Sequence, residues 1–109
     1  MPKYKASKYH PSDHQQLLRE FFLAVAELRS TQEVANFFKD LLSVTETTML
    51  ARRLKVAQRL EAGKTYDEIA EDLDISKTTI ARVQRWLEDG HNGYHVALER
   101  LAAAKRRRG

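Results

Sequence analysis

The stretch from residue 65 to residue 87, TYDEIAEDLDISKTTIARVQRWL, constrains the fold more than any other part of the chain. It predicts two short helices joined by a tight turn. Thr65 caps the first helix, and Glu68 stands three residues on, which completes a reciprocal capping box. The turn falls at Leu73-Asp74-Ile75, because Asp is among the few non-glycine residues that tolerate a positive φ. This pattern is typical of a helix-turn-helix.

The second helix of the pair separates an apolar side from a polar one. Ser76 caps it, and Ile80, Val83 and Leu87 recur at helical spacing on its inward side. We predict that its other residues read DNA, since Arg and Lys bond guanine, Gln bonds adenine and Thr bonds either base. The small Ala81 lets the helix sit deep in the groove. The predicted DNA-binding residues are Lys77, Thr78, Thr79, Ala81, Arg82, Gln84 and Arg85. The alternative is a solvated amphipathic helix pair with no nucleic-acid partner.

Charge and composition favour an anionic partner. The chain has 109 residues, a net charge of +4 and no Cys. We predict a flexible basic arm at 1–11, with Lys3, Lys5 and Lys8, and a basic tail at 106–109. Either end touches DNA phosphate or is simply solvated. No apolar run is long enough for a membrane span and no signal peptide is visible, so we expect a cytoplasmic protein with no membrane partner.

Helix-start signals divide the rest of the chain. Three capping boxes predict helices near 13–28, near 31–41 and from 43 to about 62, and Gly63 ends the third of these: Ser12 with Gln15, Ser30 with Glu33, and Ser43 with Glu46. After a turn at His91-Asn92-Gly93, a last helix runs from about 94 to 105. The prediction is an all-α chain of six helices, with one helical DNA-binding domain at 12–105 that contains the helix-turn-helix at 65–88.

The first two helices have wider apolar faces than one partner helix would cover. Their apolar residues are Leu17, Leu18, Phe21, Phe22, Ala24, Val25 and Leu28 in the first and Val34, Phe37, Phe38, Leu41 and Leu42 in the second. Large exposed apolar patches mark partner surfaces, and two-fold dimers are the commonest assembly. We therefore predict a homodimer. The alternative is that one chain buries all of this surface itself.

From Leu41 to Leu101 the sequence resembles the Trp repressor family, and more closely the branch of bacterial regulators called the YerC/YecD type. The matching pieces are the helix opening from Ser43 to Glu46, the run LARRLKVAQRLEAGKTYDEI, the run TTIARV, and the restart at Gly93-Tyr94 ahead of LERL. The resemblance implies an intertwined six-helix homodimer whose two reading helices enter successive major grooves.

The resemblance also implies an effector pocket, formed here by Ser43, Arg53, Thr79, Arg82, Val83 and Trp86. The founding member of the family holds tryptophan between two arginines, which correspond to Arg53 and Arg82. It has a glycine where this chain has Val83, and a serine that helps to hold the ligand's amino group where this chain has Trp86. We expect these two larger side chains to fill the ligand's space, so tryptophan is not an expected corepressor. A smaller effector and constitutive DNA binding both stay open.

Enzyme and metal chemistry find little support. His91 and His95 are four residues apart, but the turn breaks their helical register and no further ligands complete a set. We interpret them as exposed turn histidines. We interpret the four acidic side chains on the first helix of the pair as a solvated surface. They are Asp67, Glu68, Glu71 and Asp72. We predict no catalytic residue, no metal and no cofactor.

These observations predict a sequence-specific DNA-binding transcriptional regulator, taken here as a repressor, that reads a two-fold operator on double-stranded DNA with the helix 77–88. Two alternatives remain. One is an architectural or scaffolding helical dimer, which would not need base-reading side chains on that helix. The other is a non-specific nucleic-acid binder driven by its basic arms.

Overall fold

The computed structural model describes residues 10–109, where six α-helices follow one another and no strand occurs. They are α1 (Pro11–Ala26), α2 (Thr31–Leu41), α3 (Val44–Glu61), α4 (Tyr66–Leu73), α5 (Lys77–Asp89) and α6 (Gly93–Arg108). The predicted all-α fold of six helices is confirmed. The lysines of the predicted basic arm, at positions 3, 5 and 8, lie outside the described residues.

The start of α1 differs from the prediction. The helix already includes Pro11, which suits the first helical position because proline's missing N–H would have no partner there. The Nδ1 atom of His10 accepts a hydrogen bond from the backbone N–H of Ser12 at 3.3 Å. Ser12 lies inside the helix, so the capping box predicted for it is wrong, and Pro11, which the prediction assigned to the arm at 1–11, belongs to α1.

The next two helix starts show one partial box and one complete box. The Ser30 hydroxyl accepts from the N–H of Glu33 at 3.0 Å, but the Glu33 carboxylate accepts from Arg29 rather than from Ser30. Ser43 and Glu46 exchange both bonds, at 2.8 and 3.1 Å, so this capping box is confirmed. The hydrogen bond from the Ser43 backbone N–H, and then that from its side chain, lower the pKa of Glu46 below its ordinary value.

The unit Ser43–Gly109 contains the buried core. Helix α3 is central to it, because α4, α5 and α6 all pack against α3. Burial of each aliphatic side chain contributes on the order of 1.5–3 kcal/mol relative to exposure. The buried side chains are Val56, Ala57, Ile69, Ile80, Val83 and Leu98. This unit therefore has a hydrophobic core made from its own residues.

The unit Met1–Leu42, described from residue 10, is built differently. Its aromatic rings form a row, in which the centroids of Phe21 and Phe37 are 6.2 Å apart. Yet α2 has no buried residue, and Phe22 is 61% exposed in the single chain. The single helical domain at 12–105 stays a prediction, and the contacts within the chain divide this range into two compact units after Leu42.

The end of α6 also differs from the prediction. The helix continues to Arg108, so three residues of the basic tail predicted at 106–109 belong to its last turn, and Gly109 follows as the C-cap. Ala, Lys and Arg are strong helix formers. Cations are also favoured at a helix C-terminus, where the unpaired carbonyls carry negative charge. The run Ala102–Arg108 therefore extends the helix.

Candidate DNA interface and adjoining cleft

Local caps and one left-handed residue shape the turn between α4 and α5. Thr65 and Glu68 exchange two hydrogen bonds of 3.1 Å at the start of α4. The Glu68 carboxylate interacts with the backbone N–H of Thr65 and, more weakly, with its side chain, and these interactions lower the pKa of Glu68. Asp74 ends α4 with φ 51° and ψ 55°, as the sequence predicts. The Ser76 hydroxyl then accepts from the N–H of Thr79 at 3.2 Å and starts α5. The helix-turn-helix is thus confirmed in its geometry.

Helix α5 turns one side to the core and the other to solvent. Ile80 and Val83 are buried, and Leu87 packs partly buried beside them. With 3.6 residues per turn, the opposite side carries residues whose side chains are all exposed. They are Lys77, Thr78, Ala81, Arg82 and Arg85. Five of the seven predicted DNA-binding residues therefore share one exposed face.

The two other predicted DNA-binding residues are only partly exposed. The Thr79 hydroxyl is 3.0 Å from that of Ser76, and the Gln84 amide donates to Glu88 at 2.6 Å. On the exposed face itself, Lys77 forms an ion pair with Asp67 of α4. Across the described part of the chain, no carboxylate lies within ion-pair distance of Arg82 or Arg85. The face therefore presents positive charge, from Arg82 and Arg85, that the described residues do not neutralise.

A cleft of about 720 Å³ adjoins this face where α3, α5 and the start of α6 meet. The guanidinium groups of Arg53 and Arg82 give it positive charge, and Trp86 and Tyr94 give it aromatic walls. The lining residues are Arg53, Leu54, Thr79, Arg82, Val83, Trp86, Gly90, His91, Gly93, Tyr94 and Ala97. The absence of Asp and Glu from this lining favours an anionic over a cationic occupant.

The structure brings together five of the six residues predicted for the effector pocket. Ser43 is the exception, because it caps α3 and does not line the cleft. The expectation that Val83 and Trp86 fill the ligand's space stays a prediction. Val83 is 2% exposed and packs into the core, whereas Trp86 is 55% exposed and forms a wall of a cleft that stays open.

Comparison with known proteins identifies the family. The model of the Trp repressor protein family matches residues 16–102. The chain belongs to the Trp repressor family. It is 38% identical to YerC of Bacillus subtilis (strain 168), an uncharacterized protein, over 84 aligned residues. The aligned region covers 77% of this chain and 81% of YerC.

Two solved structures are similar over most of the chain. One, a TrpR-like protein from Eubacterium eligens ATCC 27750, has a TM-score of 0.75 and 37% identity over 80% of this chain and 90% of its own. The other, a candidate Trp repressor from Staphylococcus aureus, has a TM-score of 0.74 and 33% identity over 92% of this chain and 96% of its own. The Trp repressor family consists of DNA-binding regulators rather than enzymes.

Sequence reasoning missed six residues that line the cleft of this Trp repressor family member. They are Leu54, Gly90, His91, Gly93, Tyr94 and Ala97. A signal existed for the last two, because the sequence places them on one apolar face of α6. What the sequence does not give is where that face lies beside α3 and α5. The packing of α6 on α3 therefore decides the shape of the cleft.

The histidine interpretation needs one correction. His91 is exposed, as predicted, but His95 is a partly buried residue of α6 whose Nε2 is 3.0 Å from the carbonyl oxygen of Leu87. Its Nδ1 pairs with the carboxylate of Glu61 on α3. These two contacts, the Leu87 carbonyl first, raise the pKa of His95. Within residues 10–109 no cluster suited to a metal ion occurs, and no helix there is long and apolar enough to cross a membrane.

Proposed function

We propose that this protein is a sequence-specific, double-stranded-DNA-binding transcriptional regulator that acts as a repressor and reads its operator with α5. The observation that carries the proposal is the exposed face of that helix. It joins positive charge, a hydroxyl and a small residue on one side of a helix that a tight turn projects from the protein. Base edges are read by such side chains, whereas an architectural dimer would have no use for them.

Position along α5 separates two tasks on this face. Lys77, Thr78 and Ala81 lie in the first turns, from which helix-turn-helix proteins contact bases. Arg82 and Arg85 lie further along, where an arginine reaches a base or a phosphate. We assign smaller roles to Thr79 and Gln84, which are partly buried and already bonded to neighbouring side chains.

We propose further that the functional unit is a homodimer. The exposed apolar side chains of α1 support it, since water contact with such a row is unfavourable and a second copy would remove it. A two-fold dimer presents its reading helices to successive major grooves on one side of the duplex. The half-sites should then lie roughly 10 base pairs apart.

Selection of bound sequences from random duplex DNA tests the proposal. We expect a two-fold symmetric motif with that spacing. Thr78→Ala and Lys77→Ala should each weaken binding to the selected site by about 1–3 kcal/mol and should relax the base preference at one position of the motif. Lys39→Ala removes the same charge from α2 and serves as the control. No enriched motif, with binding that tracks salt alone, would instead indicate non-specific phosphate binding.

The effector question is a separate proposal. We propose that DNA binding does not require free tryptophan, because Trp86 replaces the hydroxyl that would hold the ligand's amino group. Calorimetric titration with L-tryptophan should show no heat of binding. Micromolar affinity coupled to tighter operator binding would overturn this proposal.

A further inference from the structure

We propose that Arg52, on α3, is a positioning residue for DNA reading: it fixes the turn between α4 and α5 and thereby the direction in which α5 leaves that turn. The inference rests on the proposed function, since it assigns Arg52 a task within DNA recognition. Arg52 is not part of the exposed face of α5 or of the adjoining cleft.

The turn contains backbone groups that α4 cannot satisfy by itself. The last carbonyls of a helix have no partner within the helix. The N–H groups of Asp74 and Ile75 both turn back to the carbonyl oxygen of Ala70, the latter at 3.3 Å. The carbonyls of Leu73 and Asp74 are bonded instead by one nitrogen, Nη2 of Arg52, which donates to both, at 2.9 Å in the case of Asp74. A single side chain thus holds two successive carbonyls of the turn.

The charge of Arg52 strengthens this contact. The C-terminus of a helix carries partial negative charge, and α4 has no basic residue of its own in its last turn. Arg52 supplies that cation from α3 while its side chain is partly buried, so the charge is less screened than on an open surface. Hydrogen bonds from an ionised donor are stronger than those between neutral groups.

The consequence for α5 follows from the directionality of these bonds. Ile80 and Val83 hold α5 against the core, but apolar packing is non-directional and tolerates small shifts. Hydrogen bonds to the turn fix the backbone just before Ser76, and Lys77 and Thr78 follow at once. Base contacts depend on that placement more than phosphate contacts do, because phosphates set affinity and bases set specificity. Loss of Arg52 should therefore lower specificity before affinity.

Arg59 offers a matched control. It also lies on α3, seven residues further along, and it also reaches α4, where its guanidinium pairs with the Asp72 carboxylate at 3.1 Å. It does not bond to the turn backbone. Arg52→Met and Arg59→Met therefore each remove one positive charge and one link from α3 to the end of α4, but only the first releases the turn carbonyls.

The experiment measures the affinities of the wild type and both variants for the selected operator and for random DNA. We expect Arg52→Met to lose about ten-fold in the ratio of the two affinities, comparable to one mismatched base pair. Random-DNA affinity should stay within about two-fold, and Arg59→Met should keep the ratio. Arg52→Lys keeps the charge but is one bond shorter, so it should recover part of the loss. An unchanged ratio in Arg52→Met, an equal loss in Arg59→Met, or a parallel loss on both DNAs would overturn the proposal.

Amide hydrogen exchange gives a second readout that needs no DNA. Exchange at Asp74 and Ile75 should quicken in Arg52→Met and stay as in the wild type in Arg59→Met. If Arg52→Met does not fold, Arg52→Lys takes its place in both measurements. If the wild type itself prefers no operator, the proposed function fails, while exchange at the turn still decides whether Arg52 holds it. If amide exchange at Asp74 and Ile75 is unchanged in Arg52→Met, the positioning role is overturned, even where the wild type binds its operator specifically.

Discussion

The unit Ser43–Gly109 and the helix pair α1–α2 use apolar residues in opposite ways. In the first, four helices enclose Val56, Ile69 and Ile80 completely. In the second, the aromatic row of Phe21 and Phe37 is built, but Phe22 and its neighbours on α1 remain exposed in the single chain. The difference supports the proposal that one region is stabilised by its own residues and the other by the surface of a partner. In the proposed homodimer that surface is the second copy.

Substitution of Phe22 by Asp gives the largest expected effect. On a monomer's surface such a change would cost less than about 0.5 kcal/mol. In an obligate dimer it places a charge in the interface, and obligate dimers often have no stable folded monomer. We expect Phe22→Asp to lose cooperative folding. Light scattering of the wild type should give twice 12.6 kDa at low micromolar concentration.

The control for that variant is Gln16→Asp, an acidic substitution at a polar position of the same helix. It should fold and dimerise like the wild type. A folded, monomeric Phe22→Asp, or a monomeric wild type, would break the comparison, because α1 and α2 would then need no partner.

A cavity in the core of the other unit should have a smaller effect of a different kind. Ile69 is completely buried, so Ile69→Ala removes apolar contacts and leaves a void. We expect a loss of about 2–5 kcal/mol in the free energy of unfolding, with the dimeric mass unchanged. Denaturant titration at two protein concentrations separates the two effects. If Ile69→Ala folded but was monomeric, the stability of the unit Ser43–Gly109 and the association of α1 and α2 would not be independent.

Local sequence rules predicted much of this contrast. Asp74 takes the left-handed conformation because short-range sterics decide it, and Ile80 and Val83 are buried because helical spacing decides it. The caps at Thr65 and Ser43 are likewise local. The need of α1 and α2 for a partner, inferred from their wide apolar faces, stays a prediction, and which of their residues are exposed in one chain required the fold.

Features that depend on distant partners were not predictable. The contacts of His95 with α5 and α3 depend on how α6 is seated, which no spacing along the chain records. Trp86 was expected to fill a space, and only the arrangement of α3, α5 and α6 shows a cleft beside it. The role of Arg52 was hidden for the same reason, because its partners lie more than twenty positions away.

Two glycines, Gly90 directly after α5 and Gly93 at the start of α6, allow a sharper test within the unit Ser43–Gly109. A Cβ atom on Gly90 would lie 2.3 Å from the carbonyl oxygen of Trp86, whereas one on Gly93 would meet nothing within 4 Å. Gly90→Ala should therefore lower the free energy of unfolding by about 1–3 kcal/mol through overpacking. Gly93→Ala, the matched control, should be neutral or stabilise by about 0.4–1 kcal/mol. Equal melting temperatures for the two variants would contradict the assigned geometry.

The smallest expected effect is a dependence of stability on pH, confined to the same unit. A neutral imidazole has one N–H, yet both ring nitrogens of His95 face acceptors, the Leu87 carbonyl and the Glu61 carboxylate. Only the protonated ring donates to both. The Leu87 carbonyl, followed by Glu61, accordingly raises the pKa of His95 above its ordinary value.

Because the folded state binds this proton more tightly than the unfolded state, the sign of the effect is fixed. The stabilisation should be fully present below about pH 6.5, the ordinary histidine value, and should be lost as the pH rises through the higher folded value. Melting temperatures of the wild type should fall over that range. His95→Gln should flatten the profile and His91→Gln, which removes a neighbouring histidine, should not. The dimeric mass should stay constant throughout, since the contact ties α6 to α3 and α5 within Ser43–Gly109 and does not involve the apolar face of α1. A wild-type melting temperature that rises with pH, or a pH profile that His95→Gln leaves unaltered, would contradict this prediction. His95 would then not stabilise the contact between α6 and the end of α5.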